Sequence, residues 1–358
     1  MLSARAAVRS MKEYHPPLAG RTGLRLDFNE NTVGASPRVL EKLRQLDAEQ
    51  LARYPEREPV ERMTAQFLGL QPEEVLLTNG VDEAIQLLCQ TYLEAGDQAL
   101  IVVPTFAMYE LFAASTGAQV ICVPAQADFR FPFESLIERI TPKTRLIAIA
   151  NPNNPTGAVA SAADLLRIAR SAPEAAVLID EAYYEFYGAT LLREIRALPN
   201  LFVARTFSKA YGMAGLRVGI LAGSATQMKM VRKVASPYNV NAVALACLPA
   251  ALEDRDFVDR YVTAVQRGRE RLEEKLRQLG IKFWPSQANF VLARIGALAQ
   301  QFVATMAGRG ILVRDRSSDP GCAGCVRITV GTAEQMDRLM TALEETVQAL
   351  GVGERSLV

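Results

Sequence analysis

Hydrophobic and polar positions follow two textures along this chain. From about residue 60 to residue 245, short unbroken apolar runs are separated by stretches with helical spacing. The segments "EEVLLTNG", "QALIVVP", "AQVICVPA", "TRLIAIANP", "AAVLIDEA", "LFVARTFS" and "RVGILAG" each read as a strand. Between them, "VDEAIQLLCQTYLEAG", "MYELFAASTG" and "ADLLRIARSA" read as helices, the first two closing on a glycine. Apolar strands interleaved with helices predict an α/β fold: a mainly parallel, seven-stranded sheet covered by helices on both faces.

After about residue 245 the pattern changes. "DRDFVDRYVTAVQRGRERLEEKLRQLG" is a long amphipathic helix whose charge run is a solvated face, and short strands follow in "KFWPSQANFVLAR" and "CVRITVG". This reads as a smaller α+β domain.

Composition narrows the function. The 358 residues are 49% hydrophobic, enough for two domains, and 40 basic against 39 acidic side chains leave a net charge of +1. That balance argues against nucleic acid or an anionic membrane as partner. The longest apolar candidate, "AVALACLPAAL", is too short to span a bilayer and contains Pro249. The opening "MLSARAAVRSMK" carries Arg5, Arg9 and Lys12 and fits a short amphipathic helix better than a transit peptide; no signal-peptide core is expected. Five scattered cysteines suggest buried thiols in a reducing, cytoplasmic setting. Cys322 and Cys325 form a C-x-x-C without the further ligands of a zinc site, so no metal is expected. The only histidine, His15, lies in the loop-like "EYHPPLAG", which leaves lysine as the better proton carrier.

Three segments at strand ends carry candidate chemistry. "ANPNNPTGAV" forces a tight loop with Asn154 in it, and Asp180 closes the apolar strand "AAVLID", either as a functional carboxylate or as a helix cap. In "ARTFSKAYGMAGLRVG", Lys209 follows Ser208 among small residues and precedes Arg217. An asparagine, a buried aspartate, a tyrosine (Tyr183), a lysine and an arginine answer the needs of pyridoxal 5'-phosphate: an amine for its aldehyde, an acid for its ring nitrogen, and cations and hydroxyls for its phosphate. "TNGVDEAI" adds a glycine turn into a helix N-terminus, which suits a phosphate, and Phe106 could stack on the ring.

Taken in order, "LDFNEN", "RYPE", "TNGVDEAI", "PTFAMY", "NPNNPTG", "IDEAY", "TFSKAYGMAGLRVG", "ANFVLAR", "GILVRD" and "VRITVG" resemble the fold-type I pyridoxal-phosphate aminotransferases, and within them the histidinol-phosphate aminotransferases. The resemblance runs from about Tyr14 to the C-terminal helix. It implies a segment 1–35 attached to the small domain, a large domain over 36–245 and a small domain over 246–358. It implies that Lys209 bonds to the cofactor and moves the substrate proton, that Asp180 meets the ring nitrogen, and that Asn154 and Tyr183 meet the ring oxygen. Val81, Asp82, Thr206, Ser208 and Arg217 become the phosphate site, and Tyr54 reaches the site of a neighbouring subunit in a homodimer. Arg327 becomes the anchor for substrate phosphate and glutamate carboxylate in turn, with Arg314, Tyr14 and Asn289 beside it.

Two departures stand out: Phe106 where a tyrosine is common, which costs a hydroxyl but no stacking surface, and "NENTVG", where proline more often follows NEN. The second leaves substrate choice open. The expected reaction is amino transfer from L-histidinol phosphate to 2-oxoglutarate in histidine biosynthesis. The alternatives are an aromatic amino acid aminotransferase, a threonine-phosphate decarboxylase, and a pyridoxal-phosphate-binding regulator, which would want a DNA-binding domain that this chain has no charge to supply.

Overall fold

The computed structural model describes residues 2–15 and 20–352. Its strands are β1 (Leu24–Arg25), β2 (Val75–Thr78), β3 (Gln98–Val103), β4 (Gln119–Pro124), β5 (Thr144–Ala150), β6 (Ala176–Asp180), β7 (Leu201–Thr206), β8 (Gly219–Gly223), β9 (Lys282–Trp284), β10 (Phe290–Arg294), β11 (Ile311–Leu312), β12 (Arg314–Asp315) and β13 (Cys325–Thr329). The seven apolar runs form one sheet in the order β2-β8-β7-β6-β5-β3-β4. Neighbours from β7 to β4 are parallel, whereas β8 runs antiparallel to both β7 and β2.

This topology places the site. Parallel β5, β6 and β7 end on one edge, where Ala150 pairs with Asp180 and Asp180 with Ala204. Antiparallel β8 begins at that edge, because Gly219 pairs with both Thr206 and Thr78. The loops after β2, β5, β6 and β7 and the approach to β8 therefore converge. The strands lack polar alternation because both faces are buried: Leu77, Ile179 and Val203 point into one core, and Leu76, Leu178 and Phe202 into the other.

The C-terminal part builds an antiparallel sheet in the order β12-β13-β10-β9, flanked by the helices Arg255–Gln278 and Ala333–Leu350. The N-terminal segment joins it: Leu24 pairs in parallel with Ile311, and the Thr329 N–H donates to the Leu26 carbonyl at 2.9 Å. Residue 245, where the texture changes, lies inside the continuous helix Ala242–Glu253; the chain breaks at Asp254, before the next helix.

The short helix Ala6–Arg9 is followed by an exposed His15 that pairs with Glu13 at 3.3 Å. Four cysteines are buried, but Cys122 is exposed, since it lies on β4, the edge strand. Among the described residues no helix is long and apolar enough to cross a membrane, and no group of three or more His, Cys, Asp or Glu could hold a metal ion.

Candidate active site

A cavity of about 250 Å³ opens at the strand ends. Lys209, in the loop between β7 and β8, lines it, and its Nζ donates to the Phe28 carbonyl at 3.2 Å. Burial, then the charges of Arg327 and Arg217, push the Lys209 pKa down to about 8, against the pull of Glu30 and Asp82. A lysine at this value exchanges its proton near neutral pH.

Asp180 closes β6 and faces the same cavity. Its Oδ1 accepts the Ala182 N–H at 2.9 Å and its Oδ2 accepts the Tyr109 hydroxyl at 2.5 Å. Burial raises its pKa to about 6, with the Tyr109 hydrogen bond pulling the other way. The carboxylate thus takes one backbone N–H of the following turn, as a cap would, while remaining in the cavity wall. Tyr183, three residues on, is held by Asn29, whose amide donates to the phenol oxygen at 2.9 Å, and by the Phe290 ring 5.2 Å away.

Part of the cavity wall is a cradle. Gly80–Tyr92 is a helix whose first residues, Val81 and Asp82, line the cavity with Thr206, Ser208 and Arg217. Arg217 Nη2 donates to Asp82 at 2.9 Å. Its backbone is left-handed, with φ at 53°. Gly80 leaves space for it: a Cβ there would stand 2.5 Å from Arg217 Nη2. The Ser208 hydroxyl is buried without a partner among the described residues. Phe106 and Asn154 complete the wall.

Beside the cavity, three arginines gather. Arg327 of β13 donates to the Asn154 side-chain oxygen at 2.5 Å and to the Asp27 carbonyl at 2.6 Å, while its Nε has no partner among the described residues. Arg314 stands directly opposite Arg327 in the β12–β13 pairing. Arg316, just past β12, lies within electrostatic reach of both and pairs with Asp319. Burial, then the Arg316 charge, lowers the Arg327 pKa to about 10. Tyr14 is exposed but within electrostatic reach of Arg314.

Two candidates stand elsewhere. Asn289 is fully buried behind the cavity, where it donates to the Asn29 carbonyl at 3.1 Å. Tyr54 is 77% exposed and stacks on Tyr238 with centroids 4.3 Å apart, away from the cavity of its own chain. Sequence reasoning passed over Tyr109, Phe28, Asn29 and Arg316. The repeated asparagines of "NEN" and the alternating arginines of "VRDR" were the available signals.

A lysine, an aspartate and an anion cradle at the carboxyl edge of a seven-stranded α/β sheet define a transferase site, and the chain belongs to the class I and II aminotransferases, whose pattern matches residues 21–343. Within that family it is 38% identical over 370 residues to the histidinol-phosphate aminotransferase of Symbiobacterium thermophilum, covering 99% of this chain and 100% of that one. The solved histidinol-phosphate aminotransferase of Sinorhizobium meliloti, in complex with pyridoxal-5'-phosphate, superposes with a TM-score of 0.88 at 25% identity, over 96% and 97% of the two chains. The L-threonine-O-3-phosphate decarboxylase of Porphyromonas gingivalis superposes with a TM-score of 0.80 at 25% identity, over 91% and 99%.

The residues present fit such a cofactor. The unpartnered Ser208 hydroxyl, the helix start at Gly80 and the Arg217 guanidinium suit a phosphate. The buried Asp180 carboxylate suits a protonated ring nitrogen, and Lys209 lines the same cavity.

Proposed function

We propose that this aminotransferase moves the amino group of L-histidinol phosphate to 2-oxoglutarate, giving imidazole acetol phosphate and L-glutamate. The observation that carries the substrate reading is the facing pair Arg314 and Arg327, joined by Arg316. Like charges opposite each other in an antiparallel pair repel, so an anion bound between them gains what the empty arrangement loses. A phosphate dianion meets that field better than a neutral aromatic ring.

Pyridoxal 5'-phosphate, when bound, supplies an aldehyde that takes the amino group and a cationic ring that draws electrons from the reacting carbon. Val81, Asp82, Thr206, Ser208 and Arg217 would hold its phosphate, Asp180 its ring nitrogen, Asn154 and Tyr183 its ring oxygen, and Phe106 its face. Lys209 Nζ takes the proton from the substrate's amine-bearing carbon and later gives one back; a pKa of about 8 suits both directions. Asn29 turns the Tyr183 hydroxyl by donating to its oxygen, leaving the phenol proton free for the cavity. Arg327, fixed by Asn154 and Asp27, anchors substrate phosphate and glutamate carboxylate in alternate half-reactions.

The same reading takes the protein as a cytoplasmic homodimer in which the exposed Tyr54 reaches the cofactor phosphate of the neighbouring subunit. The exposed Tyr54–Tyr238 stack supports the dimer, and free buried thiols support a reducing compartment. The pairing of β1 with β11 supports the domain division into a segment 1–35 attached to the small domain, a large domain over 36–245 and a small domain over 246–358.

The test is a single-turnover absorbance titration with L-histidinol phosphate and, in parallel, L-phenylalanine. Rapid loss of the bound cofactor's visible band at low histidinol phosphate, with little response to phenylalanine, is expected. The reverse preference makes the protein an aromatic aminotransferase, and carbon dioxide release from threonine phosphate makes it a decarboxylase.

A further inference from the structure

Tyr109 has no assigned part in the reaction above, yet it touches the group on which the ring nitrogen depends. It sits in the first turn of the helix Met108–Thr116, three residues after Phe106, and both side chains line the cavity. Its ring is 1% exposed and meets the Phe106 ring edge-on, with centroids 6.0 Å apart. One helix start therefore sets both a wall of the cavity and the hydrogen bond to Asp180 Oδ2.

A phenol and a carboxylate in contact could share their proton either way. Burial and the Asp180 charge drive the Tyr109 pKa well above its usual value, so the phenol keeps the proton and the carboxylate accepts. The other groups acting on Asp180 are Asp82, from the helix Gly80–Tyr92, and its neighbour Glu181, both of which oppose its ionisation. Tyr109 and the Ala182 N–H are what offset them.

We propose that Tyr109 is a positioning residue: its hydroxyl locks the Asp180 carboxylate in one orientation and in ionised form, so that it meets the cofactor's ring nitrogen as an anion. This role rests on the proposed function. A weaker anion at Asp180 would hold a proton on the ring nitrogen less firmly, and with less positive charge in the ring the Lys209 nitrogen, once attached to the cofactor, would hold its own proton more tightly.

In Tyr109→Phe the pH midpoint of the bound cofactor's visible absorbance should rise by about one unit, and cofactor affinity, measured by removal and re-addition, should fall roughly tenfold. The kcat should fall with KM little changed. A midpoint equal to wild type, with only thermal stability lowered, overturns the proposal. Should Tyr109→Phe not fold, a fluorotyrosine at 109 keeps the hydroxyl; its fluorine resonance is expected to move when pyridoxal 5'-phosphate is added, and a fixed resonance overturns the role. Asp180→Asn separates the two levels. A wild-type protein that takes up no cofactor defeats the functional reading itself. A midpoint shift in Asp180→Asn without one in Tyr109→Phe defeats only the role of Tyr109.

Discussion

Lys209 Nζ donates to the main-chain carbonyl of Phe28, 181 positions away in sequence, and among the described residues no carboxylate comes within hydrogen-bond distance of it. A carbonyl satisfies one N–H of the amine without stabilising its charge as a carboxylate would, so desolvation dominates and the pKa settles at about 8. The unfolded chain therefore binds more protons than the folded one between about pH 8 and 10.5, and cofactor-free protein gains stability as pH rises across that window. Amine-selective labelling of Lys209, followed by mass spectrometry, should show a midpoint near pH 8, with surface lysines reacting only at higher pH. A midpoint level with theirs would mean that the amine is solvated.

Lys209→Ala removes a buried amine and should fold with equal or higher thermal stability. It should lose the cofactor's visible band and at least about 10⁴-fold of turnover, since both covalent attachment and proton transfer depend on that nitrogen. An active variant would show that another residue carries the reaction.

Ser208 offers a test with opposite signs. Its buried hydroxyl has no partner among the described residues, and an unmet buried hydroxyl costs about 1–3 kcal/mol. Ser208→Ala should leave the cofactor-free protein as stable or slightly more so, yet weaken pyridoxal 5'-phosphate binding by about tenfold. Thermal melts with and without cofactor read both effects. Equal affinity for the two proteins would remove Ser208 from the phosphate site.

Gly80→Ala loads the same cradle sterically. The new Cβ would meet Arg217 Nη2 at 2.5 Å, on a backbone with φ at 75°. Stability should fall by about 1–2 kcal/mol from the backbone alone. Displacement of Arg217 should lower cofactor affinity as well, which calorimetric titration would measure. A variant with lowered stability and unchanged affinity would place Arg217 outside the phosphate contacts.

The sheet was legible because its strands, buried on both faces, leave continuous apolar runs. Asp180 was legible because a carboxylate ends one of them. Lys209, Ser208 and Arg217 stood out among small residues. What the sequence hid was contact between distant segments. Asn29 reaches Tyr183 across 154 positions and Thr329 across 300, and no local periodicity encodes such pairs. Tyr109 was masked by its own helix, where a tyrosine at an apolar position reads as core until the carboxylate beneath it is seen. Asn289 shows the same gap: its place in "QANFVLAR" suggested the pocket, while its amide bond to the Asn29 carbonyl, 260 positions away, left no local signal.

The arginine array bears on substrate choice and can be dissected one charge at a time. Arg327 is tied to Asn154 and the Asp27 carbonyl, so Arg327→Gln should disturb the cavity itself and impair histidinol phosphate and glutamate alike. Arg314 has looser ties: its guanidinium lies 5.2 Å from the Phe28 ring centroid, and it faces Arg327 across the strands. Arg314→Gln should therefore raise KM for histidinol phosphate by roughly 10- to 100-fold, the worth of one charge-assisted contact, with a smaller effect on phenylalanine turnover. Because it relieves cross-strand repulsion, the same change should leave the ligand-free melting temperature unchanged or higher. Arg316→Gln should act in the same direction but more weakly, since Asp319 already engages that side chain. Steady-state kinetics with both amino donors on the three variants would decide the matter. If Arg314→Gln slowed phenylalanine and histidinol phosphate equally, Arg314 would be scaffold, and the preference for a phosphorylated donor would have to rest on Arg327 and Arg316.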